Sequence, residues 1–253
     1  MSEVNITKMD AFTYRERIAK KPVVLIPVGS IEQHAAHMPL FVDCLLPGKI
    51  SEIVASEIDG LVGPTITTGY KSQQRSGGGN HIIGSFGFDA DVVINIAKTF
   101  VMEFHRHGAD KLVFVNGHYE NYQFLYEGVE LATRELGDNA PTVLLLSYWD
   151  FVTDDTIARL YPDGFPGWDV EHGGVMETSL MLKYFPEYVC MDKLIDHDPA
   201  QLPLYDQLPV CPSFTPPAGS LSSGKASTAE KGDILAESII SNMVVTIKGA
   251  YNL

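Results

Sequence analysis

The chain has 253 residues, 45% of them hydrophobic and 20% charged, and a formal net charge of −14. So acidic a balance argues against nucleic acid and anionic membrane surfaces, which attract basic patches. No apolar run approaches the roughly 20 residues of a membrane span, and "MSEVNITKMDAFTYRERIAKK" has no apolar core of a secretory signal. The three cysteines, Cys44, Cys190 and Cys211, show no CxxC spacing, so neither a disulfide framework nor a thiolate zinc site is expected and a cytoplasmic setting fits.

In chain order, short β-branched runs alternate with segments of helical period, the pattern of an α/β fold with a largely parallel sheet. Residues 23–29, "VVLIPVG", form an apolar run ending in Gly, as expected of a strand buried on both faces. Residues 45–59 predict a helix with Ile50, Ile53, Val54 and Ile58 on one face, and 60–70 predict a further strand. The Gly-rich stretch "YKSQQRSGGGNH" (70–81) follows as a loop; it fits neither GxxxxGK[ST] nor GxGxxG.

Residues 89–108 predict a helix capped by Asp89, with a stripe of Val93, Ile96, Ala97, Phe100 and Phe104 and Gly108 as terminator. A strand over 112–117, a helix over 121–137 and a strand over 141–149 come next. A helix is expected from Gly174 onward, and 199–224, rich in Pro and Ser, reads as a long irregular excursion. Residues 227–250 predict a last helix, with Ser227 and Glu230 spaced as a capping box. With no repeat and no clear linker, 1–253 is expected to form one domain.

Two of the buried strands run into matching motifs. The first leads into "SIEQH", carrying Glu32 and His34; the strand at 112–117 leads into "NGHYENY", carrying His118 and Glu120. Alternate residues of an extended segment share a side, and open α/β sheets bind ligands beyond the carboxyl ends of their strands. Two carboxylates and two imidazoles are thus expected in one cleft, with Asp43 arriving from the following loop. Five ligands exceed the three of an open zinc site and suit two cations sharing a carboxylate: Glu32, Asp43 and His118 on one, and His34, Asp43 and Glu120 on the other. All-N/O donors suit Zn²⁺ or Mn²⁺ alike. His37 is left outside the direct ligand set, and His81, His105, His107 and His197 receive no role.

A third cluster, "FPGWDVEHGGVMETSLML" (165–182), holds Trp168, Asp169, Glu171, His172 and Glu177. His172 is expected at a helix start, where the dipole disfavours imidazolium and suits a general base. Trp149 and Trp168 lie at loop edges beside acidic residues and could line a small-molecule pocket. No GxSxG or HExxH occurs, which argues against serine-hydrolase and thermolysin-like chemistry.

"PVGSIEQHAAHMPLFVD", "NGHYEN" and "EHGGVMETS" together resemble the creatininase (creatinine amidohydrolase) family. "YKSQQRSGGGNH", "LSYWDF" and "YPDGFPGWD" place the resemblance near the creatininases themselves, over nearly the whole chain. It implies a three-layer α/β/α fold, a hexamer, two divalent ions of zinc or manganese type, and reversible hydrolysis of creatinine to creatine. It implies Glu32, His34, Asp43, His118 and Glu120 as metal ligands, Glu120 also among the catalytic groups. His172 resembles the family's acid/base, with Asp169 or Glu171 orienting it. Ser76, Tyr119, Trp149, Trp168 and Asp169 fall where the family contacts or covers its substrate, and Glu171 beside them is a further substrate-binding candidate. One position departs: many members carry Gly after the first E-Q-H, where this chain has Ala35, and a positive φ there would strain the ligand loop. Other readings of the same motifs are hydrolysis of a different small cyclic amide, a formamide or a cyclic polyol ketone, or a metal-binding structural protein without chemistry.

Overall fold

A computed structural model describes residues 3–253. Its sheet has four parallel strands, β1 (Val24–Val28), β2 (Leu61–Val62), β3 (Lys111–Asn116) and β4 (Thr142–Ser147), in the order β2-β1-β3-β4. The helices are α1 (Ala11–Ile18), α2 (Val42–Glu57), α3 (Gln74–Gly77), α4 (Ala90–Arg106), α5 (Tyr122–Leu136), α6 (Asp154–Leu160), α7 (Val175–Tyr184) and α8 (Ala229–Tyr251).

The near-continuous apolar strands sort onto two faces by period-2 alternation. Leu25, Val113 and Val115 pack with Leu46, Ile50 and Val54 of α2, Leu180 and Met181 of α7, and Ile239 and Met243 of α8. Val24, Ile26, Leu112 and Phe114 pack on the other side with Val93, Ala97 and Val101 of α4 and Leu125 of α5. Helices on both faces of a parallel sheet make the expected three-layer α/β/α architecture. Val28 lies in register with Asn116, so the motifs following β1 and β3 emerge side by side. From there β1 leads outward to β2 on one side, and β3 to β4 on the other. That reversal of strand order is the switch point where open sheets form ligand crevices.

Several boundaries differ from expectation. The strand expected over 60–70 forms a ladder only at Leu61–Val62; Gly63 and Pro64 break it, and single bridges resume at Val28–Ile66 and Tyr70–Phe88. The strand expected to reach 149 stops at Ser147, where a 3₁₀ turn, Tyr148–Phe151, carries Trp149 away from the sheet. The last helix is capped by Thr228, whose side chain accepts from the Lys231 N–H, while Ser227 Oγ donates instead to the Val175 carbonyl. Asp89 occupies its N-cap position without a capping bond and pairs with Lys71. Gly108 follows α4 with φ +90°, as a terminator requires.

The decisive shift is at α2, which starts at Val42 rather than near 45, so Asp43 sits in its first turn and not in a loop. Pro47 lies inside this helix and has no N–H for the carbonyl four residues back, that of Asp43. The Asp43 carbonyl instead rests against the two strand ends: a Cβ would stand 2.3 Å from it at Gly29 and 2.4 Å at Gly117. Only glycine at both strand ends lets α2 approach this closely. Gly29→Ala is therefore expected to destabilise the fold by about 1–3 kcal/mol, the range for overpacking, and to reduce bound metal. Urea denaturation and metal analysis check this; a fully stable, fully loaded variant would contradict the packing.

Candidate metal centre

The two strand ends and the start of α2 deliver their side chains to one point. Asp43 Oδ1 lies 3.0 Å from His34 Nε2, and its Oδ2 lies 3.3 Å from His118 Nδ1. Glu32 Oε2 is 3.0 Å from the same His118 nitrogen, and Glu177 Oε1 is 3.6 Å from His34 Nε2. Three three-residue sets are close enough to hold a cation: Glu32, Asp43 and His118, and His34, Asp43 and Glu177, which share Asp43, and thirdly Glu32, His34 and His172. The first is the set expected from sequence. The second is not, because Glu177 stands where Glu120 was expected.

Glu120 lies on the far side of His118. Its Oε2 is 3.3 Å from His118 Nε2, and its Oε1 accepts from the Gln73 N–H and the Ser76 hydroxyl, each at 2.6 Å. It follows His118 by two residues, but a 3₁₀ turn over Tyr119–Asn121 replaces the extended chain that would have aligned the two. Glu177 reaches the centre from the first turn of α7, where its Oε2 also accepts from the Gly173 N–H at 2.7 Å. Its sequence signal was an acidic residue near a helix start within "EHGGVMETS".

The outer ring nitrogens are held in place. His34 Nδ1 meets the Glu32 carbonyl at 3.1 Å, and His118 Nε2 meets the Tyr70 carbonyl at 3.0 Å. Carbonyls can only accept, so each ring donates outward and turns its other nitrogen inward, the orientation that outer partners give metal-binding histidines. Left inside, buried and without hydrogen bonds, are Glu32 Oε1, His34 Nε2 and Asp43 Oδ2. Such orphans are costly in a protein interior, and their chemistry fits a divalent cation of the zinc or manganese kind.

The electrostatics point the same way. Burial opposes charge on His34 and His118, yet Asp43 and Glu177 raise the first well above the ordinary range, and Glu120 and Glu32 raise the second. Burial likewise works against ionised Asp43 and Glu177, but His34 lowers both, with His118 adding to the effect on Asp43. Burial and then Glu32 raise Glu120, against the pull of His118. Protons on the imidazoles take the part of cations in the metal-free protein.

A cavity of about 280 Å³ opens over this centre. Its walls include Glu32, Asp43, Ser76, His118, Tyr119, Glu120, Trp149, Trp168, Asp169, Glu171, His172 and Glu177, so every expected site residue except His34 lines it, and His34 lies buried beneath. Tyr119 and Trp168 are 67% and 44% exposed, at the mouth. The Gly-rich stretch is not a free loop: its short helix α3 places Ser76 on Glu120, and Thr215 Oγ1 of the 199–224 excursion donates to the Gly78 carbonyl at 2.6 Å.

His172 is buried two residues before the Gly174 N-cap of α7. Its Nε2 lies 2.9 Å from the Gln33 carbonyl. The Gln33 amide hydrogens go to the Gly219 carbonyl at 2.9 Å and the Gly77 carbonyl at 3.3 Å, so His172 Nε2 is the donor in its own contact. In the tautomer that donates from Nε2, Nδ1 is the accepting nitrogen. The hydrogen bond that holds this histidine is to Gln33 rather than to Asp169 or Glu171: Asp169 is exposed, and the Glu171 oxygens accept from the Tyr161 hydroxyl and the Met176 N–H. Gln33 and Asn121 were not singled out in sequence. Asn121 ties the two motif loops by donating to the Gly29 carbonyl at 3.1 Å and accepting from the Tyr70 N–H at 2.8 Å.

Ala35 has φ +61°, the left-handed region that costs an L-residue about 1–2 kcal/mol. Ala35→Gly is expected to leave stability unchanged or raise it by about 1 kcal/mol, where an ordinary Ala→Gly change loses that much; urea unfolding reads the sign. The raised imidazoles make a second prediction. Their stabilisation of the metal-free protein is complete below about pH 6.5 and lost as pH rises through their folded values. Metal-free protein should therefore lose stability as pH rises above about 6.5, and metal-loaded protein much less, because the ion replaces the protons. Equal alkaline losses with and without chelator would contradict this.

A family model described as creatinine amidohydrolase matches residues 7–247. The creatinine amidohydrolase of Pseudomonas putida is 48% identical over 243 residues, covering 94% of each chain. A solved manganese form of creatininase superposes with a TM-score of 0.96 at 45% identity, over 98% of this chain and 99% of the other. A single-residue creatininase variant complexed with creatine superposes equally well, at 44% identity and 99% of each chain.

Proposed function

The chain belongs to the creatininase family, and from that premise we propose that it hydrolyses the cyclic amide of creatinine, reversibly, to creatine at a two-ion centre. The observation that carries the proposal is the pair of three-residue sets sharing Asp43 beneath a cavity that also holds His172 and two tryptophans. Glu32, Asp43 and His118 would hold one ion, and His34, Asp43 and Glu177 would hold the other. Two zinc or manganese ions so placed supply Lewis acidity and hydroxide at neutral pH.

The remaining steps fall to the chain's own groups. Trp149 and Trp168 flank a flat ring of creatinine's size and keep water from it. Glu171, ionisable but pushed up to about 7 by burial, accepts N–H bonds from the ligand. Glu120 pins His118 from behind and, through Ser76, fixes the Gly-rich stretch against the cavity; that outer-partner role replaces its expected place as an ion ligand. His172 Nδ1 takes the proton of the attacking water and returns it to the departing ring nitrogen, while the Gln33 carbonyl keeps Nε2 protonated. Asp169 and Tyr119 stand at the mouth, where a ligand enters. The whole chain, 1–253, acts as one catalytic domain of a cytoplasmic enzyme. A hexamer of it would be seen as a sixfold multiple of 27.8 kDa in sedimentation.

The test is creatine formation from creatinine by protein reconstituted with Zn²⁺ or Mn²⁺. Bound ions without turnover would keep the centre and shift the substrate to another cyclic amide. Among variants, His172→Ala should retain its ions and lose roughly two to four orders of magnitude in turnover. Glu177→Ala should lose one ion, whereas Glu120→Gln should keep both; the reverse pattern would restore Glu120 as the ligand.

A further inference from the structure

Glu171 is a half-buried cavity carboxylate that belongs to none of the ion-binding sets. The chain grips it on three sides. Its Oε2 accepts from the Tyr161 hydroxyl at 2.7 Å and its Oε1 from the Met176 N–H at 2.5 Å. A Cβ at Gly174 would stand 2.6 Å from Oε2. The terminal torsion of a glutamate is soft and nearly two-fold, so the direction of its free lone pairs is set by these donors rather than by the side chain itself.

Tyr161, just after α6, does not line the cavity and so cannot touch a ligand there. Its ring does something besides anchoring the hydroxyl. It packs on Phe165 with centroids 4.9 Å apart, and Phe165 meets the Trp168 indole edge-on at 5.2 Å. One side chain outside the cavity thus bears on two of its walls.

We propose that Tyr161 is a positioning residue for substrate binding: its hydroxyl aims the Glu171 carboxylate at the ligand, and its ring, through Phe165, seats Trp168 over the same ligand. The proposal rests on the reading of the cavity as the creatinine site. It concerns ground-state binding, so its signature is in affinity and not in the chemical step. A ligand's hydrogen bond to a charged group is worth about tenfold or more in affinity, and it is this bond that a misdirected Glu171 would lose. Removing only the hydroxyl leaves the carboxylate to swing about its remaining Met176 bond; removing Phe165 leaves the hydrogen bond intact and frees the indole.

The experiment uses the metal-loaded, full-length protein and compares wild type, Tyr161→Phe, Glu171→Gln, the double variant and Phe165→Ala. Creatinine kinetics, calorimetric binding of creatine, metal content and tryptophan emission are measured, with crystal structures of wild type and Tyr161→Phe. Tyr161→Phe should raise KM for creatinine and Kd for creatine about tenfold, with kcat and bound ions held within about twofold. It should add nothing in the Glu171→Gln background, because it acts through that carboxylate. Phe165→Ala should raise KM and red-shift the emission, which tests the ring's contribution even if the tyrosine variant fails to fold. An unchanged KM, a fall in kcat alone, or a full tyrosine effect persisting without Glu171 would overturn the proposal. If wild type neither turns over creatinine nor binds creatine, the substrate reading falls and the crystal structures decide this proposal. A Glu171 carboxylate turned away from its wild-type direction in Tyr161→Phe supports it, and an unmoved one overturns it.

Discussion

The Asp43 carboxylate sits between two imidazoles, one oxygen 3.0 Å from His34 Nε2 and the other 3.3 Å from His118 Nδ1, and the carboxyl edge of the sheet is organised around that placement. His34 comes from the loop after β1 and His118 from the loop after β3. The bridging group must therefore come from a third element that reaches between two strand ends. Helix α2 does so by losing a hydrogen bond at Pro47 and by lying against Gly29 and Gly117, where no side chain larger than hydrogen fits. Sheet order, strand register and two glycines thus act together on one carboxylate.

The same geometry concentrates charge. Glu32, Asp43, Glu120 and Glu177 are gathered around two imidazoles, with three of their buried polar atoms left without hydrogen bonds. In the low-dielectric interior, such an arrangement is stable only when cations or protons neutralise it. The outer contacts of the two imidazoles turn their inner nitrogens toward the place where ions fit. Gln33 extends this order beyond the centre: its amide holds the Gly-rich stretch and the 199–224 excursion, and its carbonyl holds His172. The loop that carries Glu32 and His34, the cavity wall and His172 are thereby tied together by one residue.

Much of this was legible in the sequence because it rests on local pattern. The apolar runs at β1 and β3, the mirrored Glu-x-His and His-x-Glu pairs, the Gly-terminated helices and His172 just ahead of a helix are short-range signals, and the family resemblance added Ser76 and Tyr119 as cavity walls. What escaped depended on contacts distant in sequence. Pro47 reads as a helix breaker until the Asp43 carbonyl is seen resting on two glycines. Glu120 looks like a ligand from its spacing, but a 3₁₀ turn rotates it behind His118. Glu177 earns its place only through the docking of α7, and Tyr161 only through a bond to a residue ten positions away. The strand beyond Val62 ended early because Gly63 and Pro64 interrupt the ladder, a local signal that was present but outweighed by the apolar run around it.

Each Asp43 carboxylate oxygen faces an imidazole, the placement from which one carboxylate would hold two ions. Anomalous diffraction from crystals of metal-loaded protein measures this directly. The expected result is two peaks roughly 3.5–4 Å apart, the usual spacing of paired hydrolytic metals, with an Asp43 oxygen on each, Glu32 and His118 completing one, and His34 and Glu177 the other. A single ion, or two ions with Asp43 bound to neither or only one, would contradict it.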